Sequence, residues 1–276
     1  MAQMRRLIVN ADDFGFTPDV NQGIVEARRR GILRSTTLMA NGDAFDDAVR
    51  LARESPDLDV GVHLVLVGGE SVAQPGRPLP ESVPNLLRGL WSAWTRSAVE
   101  AEFAAQIERI EAAGIRPTHL DTHKHTHMLP SVLEAVIAVS RRYEIPWIRR
   151  PFDLPLTTAK GSAPQARRIL SSALRPLSRR LGRRLSESEA RTTDHFAGFQ
   201  MTGFYDASSL AALIESLPEG TTEFMCHPGV CGPQLRAAKT RLKESREQEL
   251  RALTSAEALD AVRRAGVELC GFGDLL

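Results

Sequence analysis

The sequence predicts an α/β protein built as a TIM-like (β/α) barrel, and three observations carry that prediction. Short apolar runs alternate with amphipathic helical stretches from residue 6 to residue 272, the pattern of parallel strands joined by crossover helices. About seven or eight such runs occur, close to the number a barrel needs. The Gly-rich turn that follows the first strand of a doubly wound open sheet is absent, and no linker or internal repeat divides the 276 residues. A single domain over residues 1–276 is the expectation.

Each element follows from local signals. Residues 6–11 are a short apolar strand, after which Asp12 and Asp13 precede a helix capped by Thr17, with Pro18 where a missing N–H does no harm. Val20, Ile24, Val25 and Ala27 form the buried side of that helix and Gly31 ends it. Residues 35–40 read as a second strand, 43–54 as an amphipathic helix, and 59–67 as a third strand, apolar on both faces apart from His63. Four prolines between residues 68 and 96 mark an irregular loop. Ser97 and Glu100 have capping-box spacing and open a helix that ends at Gly114. A helix at 130–143, a strand at 147–148, a strand at 199–203, a helix at 208–217 and a strand at 221–226 follow. Helices at 239–252 and 255–265, the second capped by Thr254 with Glu257, precede a last strand at 267–272.

Bulk composition excludes several function classes. Lys+Arg of 35 against Asp+Glu of 34 leaves no net charge to suggest nucleic acid. Cys226, Cys231 and Cys270 are an odd number without CxxC spacing, which argues against a disulfide framework and for a reducing compartment. The apolar run at residues 7–9 is too short for a signal peptide, and no run approaches the ~20 residues of a membrane span, so a cytoplasmic protein is expected. A homo-oligomer is compatible with this composition.

The densest chemical signal lies at residues 118–127. Four of the seven histidines, His119, His123, His125 and His127, fall within nine residues, with Asp121 among them. In an extended segment these side chains would share one face, and imidazoles with a carboxylate are the ligand set for a divalent ion. Other polar residues stand at expected strand ends: Asp12 and Asp13 after the first, His63 in the third, His227 after Cys226. Singly, each has an ordinary explanation: paired Asp cap helices, a His in an apolar strand packs in a core, and a His before Pro turns the chain. A parallel barrel, however, gathers its strand ends at one face, where separate ligands surround one ion and leave positions open. Apolar Met225 beside Cys226 places the cysteines in packing.

The chain at this point resembles the YdjC-like (ChbG/HpnK) carbohydrate deacetylases. The matching residues are Asn10-Ala11-Asp12-Asp13-Phe14-Gly15, Ser35-Thr36-Thr37 with Asn41-Gly42, Gly61-Val62-His63-Leu64, the stretch from Thr118 to His127, and Cys226-His227-Pro228. They run in the family's order along nearly the whole chain. The resemblance implies a distorted TIM-like (β/α) barrel with about seven parallel strands and removal of N-acetyl groups from amino sugars by one divalent metal ion (Zn²⁺, Mg²⁺, Mn²⁺ or Co²⁺). It implies Asp13, His63 and His123 as metal ligands, Asp12 as general base and His227 as the acid for the leaving amine. It places Asp121, His125, His127 and His195 around ligands or substrate, with His125 or His127 as alternative ligands.

Residues 151–197 match least and form a variable basic insertion. Between residues 160 and 191 lie nine Lys/Arg and two Glu interleaved with leucines, read either as a solvated helix or as a segment meeting an anionic membrane. With Asp194-His195-Phe196 and the closing Gly271-Phe272-Gly273-Asp274-Leu275, this resembles the hopanoid-associated branch. The resulting expectation is an N-acetylglucosaminyl lipid as substrate, with peripheral contact at the inner membrane face. A chitooligosaccharide such as diacetylchitobiose is the alternative, and a non-catalytic metal- or sugar-binding barrel is the alternative of another class.

Overall fold

The computed structural model describes residues 4–153 and 175–276; of the basic insertion expected at 151–197, residues 154–174 lie outside the described residues. The strands are β1 (Arg5–Phe14), β2 (Ser35–Leu38), β3 (Asp59–Leu64), β4 (His119–Thr122), β5 (Trp147–Ile148), β6 (His195–Ala197), β7 (Gly220–Cys226) and β8 (Glu268–Leu269). They pair in parallel in the order β5-β4-β3-β2-β1-β7-β6. β8 lies beside the start of β1, Arg6 opposite Glu268, while β2 takes over the same strand from Asn10 onward. Single parallel bridges, Trp147 to Arg191 and Asp153 to Phe196, link the β5 and β6 sides, so the sheet curls into the distorted barrel expected.

Ten helices are described: α1 (Pro18–Arg30), α2 (Phe45–Glu54), α3 (Val83–Gly89), α4 (Arg96–Ala112), α5 (Pro130–Arg142), α6 (Arg175–Glu187), α7 (Ala207–Glu215), α8 (Pro233–Ala237), α9 (Glu244–Leu253) and α10 (Ala256–Ala265). α1 begins as expected, with Thr17 Oγ1 accepting the Val20 N–H at 3.2 Å. Elsewhere the structure corrects the expected boundaries. α4 is capped by Thr95 rather than Ser97, because buried Trp94 anchors the chain immediately before it. α10 is capped by Ser255, since the Thr254 hydroxyl bonds back to the Leu250 carbonyl at 2.9 Å. The loop at 68–96 contains α3, whose Pro84 stands in its first turn. Residues 199–203 form turns and not a strand, because the chain breaks from β6 at Gly198, φ +129°.

Alternation along β1 sorts the core into two compartments. Leu7, Val9 and Ala11 join the large cluster between sheet and helices, which also takes Leu181 and Leu185 of α6. Those leucines therefore pack inward. Ile8 points into the barrel, where with Trp147, Cys270 and Phe272 it makes a small apolar floor. Above this floor the interior turns polar. His119 stacks on Phe272 with ring centroids 4.0 Å apart, in space that only a glycine at position 61 leaves: a Cβ there would fall 2.6 Å from the imidazole. The barrel thus grades from apolar floor to charged mouth.

Candidate active site

β1 supplies two adjacent carboxylates to one site, which a regular strand cannot do, because neighbouring side chains point to opposite faces. The pairing of β1 with β2 is irregular between Ala11 and Phe14, and Asp13 there has φ +70°. This bulge re-aims one residue. Asp12 and Asp13 accordingly both reach His63: Asp13 Oδ1 lies 3.4 Å from His63 Nε2, and an Asp12 oxygen falls within 4.8 Å of a His63 nitrogen.

Asp13, His63 and His123 come together as anticipated. Asp13 Oδ1 is 3.2 Å from His123 Nδ1, and His63 Nε2 is 3.2 Å from the same His123 nitrogen. Metal–ligand bonds of about 2.1 Å place ligand atoms about 3.0–3.4 Å apart at octahedral or tetrahedral angles, so this triangle fits one ion. Asp13 Oδ1 is buried and has no hydrogen-bond partner. Two nitrogens approach it without hydrogen-bond geometry, as lone pairs sharing an ion do. His63 fits such a role: its Nδ1–H donates to Asp121 Oδ1 at 2.6 Å, which would leave Nε2 to an ion. Thr37 in turn donates to Asp121 Oδ2 at 3.1 Å.

The expectation that His119 through His127 share one strand face does not hold. β4 stops at Thr122, and residues 123–128 form a tight 3₁₀ turn in which Lys124 and His125 take left-handed backbone, φ +56° and +51°. The reversal sends the histidines to separate places. His123 joins the triangle with Asp13 and His63. His127 donates from Nε2 to the Arg149 carbonyl at 3.1 Å and accepts from Thr122 Oγ1 at 2.5 Å, so both its nitrogens are used in holding the turn against β5. His125 packs against Phe196 and Phe199 with Nδ1 buried and unpartnered. Burial holds His125 well below the usual histidine range and His127 at about 4. His195 is a correction: it pairs with Thr222 early in β7, and its Nε2–H donates to the Glu219 carbonyl at 3.1 Å, away from the strand ends.

Sequence reasoning missed two arginines that organise the centre. Fully buried Arg149, just after β5, donates to both oxygens of Asp12 (2.7 and 2.8 Å), approaches Asp121 Oδ2 at 2.7 Å and donates to Glu223 Oε1 at 2.7 Å. Asp12 keeps acceptor capacity, because each carboxylate oxygen offers two lone-pair sites. Arg246 of α9 donates to Asp13 Oδ2 at 2.5 Å. Arg149 was within reach of the strand-end argument, as a charge directly after the apolar Trp147-Ile148 pair. Arg246 carries no such signal, since it sits in a helix rich in charges.

Four clustered carboxylates, Asp12, Asp13, Asp121 and Glu223, therefore face two guanidiniums. The surplus of two negative charges matches one divalent cation. Without it, protons fill the gap: burial opposes charge on His63, but Asp121 and Asp13 raise it to about 10, and burial pushes Glu223 up to about 7. His227 follows β7 with Nε2 3.9 Å from Asp12 Oδ2, Nδ1 buried and unpartnered, and its backbone N–H given to Glu249 at 2.6 Å. Burial lowers its pKa. Cys226, Cys231 and Cys270 are free and buried, outside this set.

Comparisons with known proteins agree with the architecture. The carbohydrate deacetylase of Brevibacillus brevis is 34% identical over 274 residues, spanning 98% of this chain and 99% of that protein. The chitooligosaccharide deacetylase of Salmonella typhimurium is 32% identical over 292 residues, spanning 98% and 99%. A crystal structure from Enterococcus faecalis V583, described as a candidate cellobiose-phosphate cleavage protein, superposes with TM-score 0.75 at 27% identity, covering 99% of each chain. The model of the YdjC-like proteins matches residues 6–264, and the chain belongs to that family.

Proposed function

We propose that the protein hydrolyses the N-acetyl group of an amino sugar with one divalent ion held by Asp13, His63 and His123. The observation that carries this reading is the triangle formed by Asp13, His63 and His123, with Asp12 directly beside it. A divalent ion there supplies Lewis acidity, polarising the acetamide carbonyl and making water easier to deprotonate. Asp12, oriented through both oxygens by Arg149, accepts the proton of the attacking water. His227, 3.9 Å away, ferries a proton toward the leaving nitrogen, which departs as an amine only once protonated. Asp121 holds His63 in the tautomer that presents Nε2.

A soluble N-acetylglucosamine oligosaccharide is the substrate class we favour, in line with what the similar Salmonella protein is named for. The lipid-linked alternative draws on Trp91, 93% exposed, Leu87, 42% exposed, and the exposed Arg179, Arg180 and Arg183 of α6. It loses the support of Leu181 and Leu185, which are buried. Among the described residues no helix is long and apolar enough to cross a membrane.

The test is acetate release by chelator-treated protein, with and without added metal. Diacetylchitobiose and an N-acetylglucosaminyl lipid in anionic vesicles are the two substrates. Metal-dependent acetate from the first is expected. Phosphate release from a phosphosugar without any acetate would point to a metal-dependent phosphatase instead, and bound metal with no turnover to a binding protein.

A further inference from the structure

We propose that Arg246 is a positioning residue that limits Asp13 to one metal-binding oxygen, an inference that rests on the metal reading of the Asp13–His63–His123 triangle. Carboxylates bind divalent ions through one oxygen or two. An Asp13 that used both would fill a coordination position that a hydrolytic site keeps open for water and substrate. Its two oxygens are sharply distinguished here. Oδ1 faces two imidazole nitrogens and lacks any hydrogen bond, whereas Oδ2 takes the Arg246 Nη2–H at 2.5 Å.

The arginine is itself held in place from several sides. It is 2% exposed, its Nε–H donates to the Leu242 carbonyl at 3.2 Å, and the Phe16 ring lies 5.9 Å from its guanidinium carbon. Its own carbonyl accepts the Gly229 N–H at 3.2 Å, and a Cβ at residue 229 would press on its stem at 3.2 Å. Arg246 is thus anchored by the loop that carries His227. A guanidinium so fixed cannot follow Asp13 if the carboxylate rotates, and rotation would break a charge-assisted hydrogen bond in a buried site.

The experiment loads wild type, Arg246→Met and Arg246→Lys with Co²⁺ and records visible absorption, alongside kcat and KM. Wild type and Arg246→Lys should each bind one Co²⁺ with the same spectrum. Arg246→Met should bind Co²⁺ with weaker absorption, because a second Asp13 oxygen raises the coordination number, and kcat should fall at least tenfold with KM little changed. An Arg246→Met spectrum superimposable on wild type overturns the proposal. So does a folded Arg246→Met that binds no Co²⁺, for Arg246 would then build the site and not shape it. Should the Met variant fail to fold, Arg246→Ala with and without added guanidinium answers the same question: the wild-type spectrum must return only with guanidinium. Failure of wild type to bind Co²⁺ would sink the metal reading itself, a distinct result.

Discussion

Arg149→Met is the most informative perturbation of this barrel. It keeps much of the side-chain volume and removes the cation that, among the described residues, contacts Asp12, Asp121 and Glu223 together. Removing one partner of a buried ion pair costs about 3–5 kcal/mol, because the other charge stays buried without compensation. Unfolding entropy of about 2.1 cal/mol/K per residue gives about 0.6 kcal/mol per kelvin for 276 residues, so Tm should fall by about 5–9 °C at pH 8. The pH dependence has a definite sign. Burial opposes charge on Asp121, yet Arg149 and His63 hold its carboxyl well below the usual range. A carboxyl depressed in the fold contributes stability above its unfolded pKa of about 3.9 and loses it as pH falls. Without Arg149 that contribution shrinks, and Asp121 and Glu223 take up protons as pH drops. The gap between wild type and variant should therefore narrow from pH 8 to pH 5. Circular-dichroism melts in chelator at both pH values test this, with exposed Arg179→Ala as a control expected to shift by about 1 °C or less. A gap under about 2 °C at pH 8, or one that widens toward pH 5, would refute the reasoning.

Asp13→Ala, His63→Ala and His123→Ala should each strip the metal, read by elemental analysis, whereas Asp12→Asn should keep it and lose about 10²–10⁴ in kcat; near-normal turnover in Asp12→Asn would remove it as the base. Metal binding must displace the proton from His63, raised to about 10 without an ion, so the apparent Kd should fall about tenfold per pH unit between pH 6 and 8. A flat titration against a metal buffer would show that no such proton is displaced. His127→Ala should cost about 1–3 kcal/mol of stability by orphaning Thr122 and the Arg149 carbonyl. His125→Ala should leave bound metal unchanged, and loss of metal there would make His125 a ligand.

Much of this molecule was legible in local pattern. Alternating apolar runs and capped helices announced the barrel, and the strand ends announced where its polar residues would gather. Asp12, Asp13, His63, the cluster at 121–127 and His227 could be named from the sequence, because parallel strands bring their carboxyl ends to one face whatever the details of packing, and the family resemblance singled out His123 within that cluster. The shape of the centre was decided elsewhere. Two carboxylates meet one histidine only through the bulge at Asp13, and His123 alone of the later histidines stays beside them, because left-handed backbone at Lys124 and His125 turns His125 and His127 elsewhere. Such conformations are disfavoured for residues with a Cβ, persist only when surrounding contacts impose them, and leave no mark in local periodicity. Arg149 lies 137 positions from Asp12, and Arg246 lies 233 from Asp13. Nothing near Arg149 or Arg246 in the chain identifies those partners, since a buried charge finds its counter-charge through the closed barrel and not along the backbone.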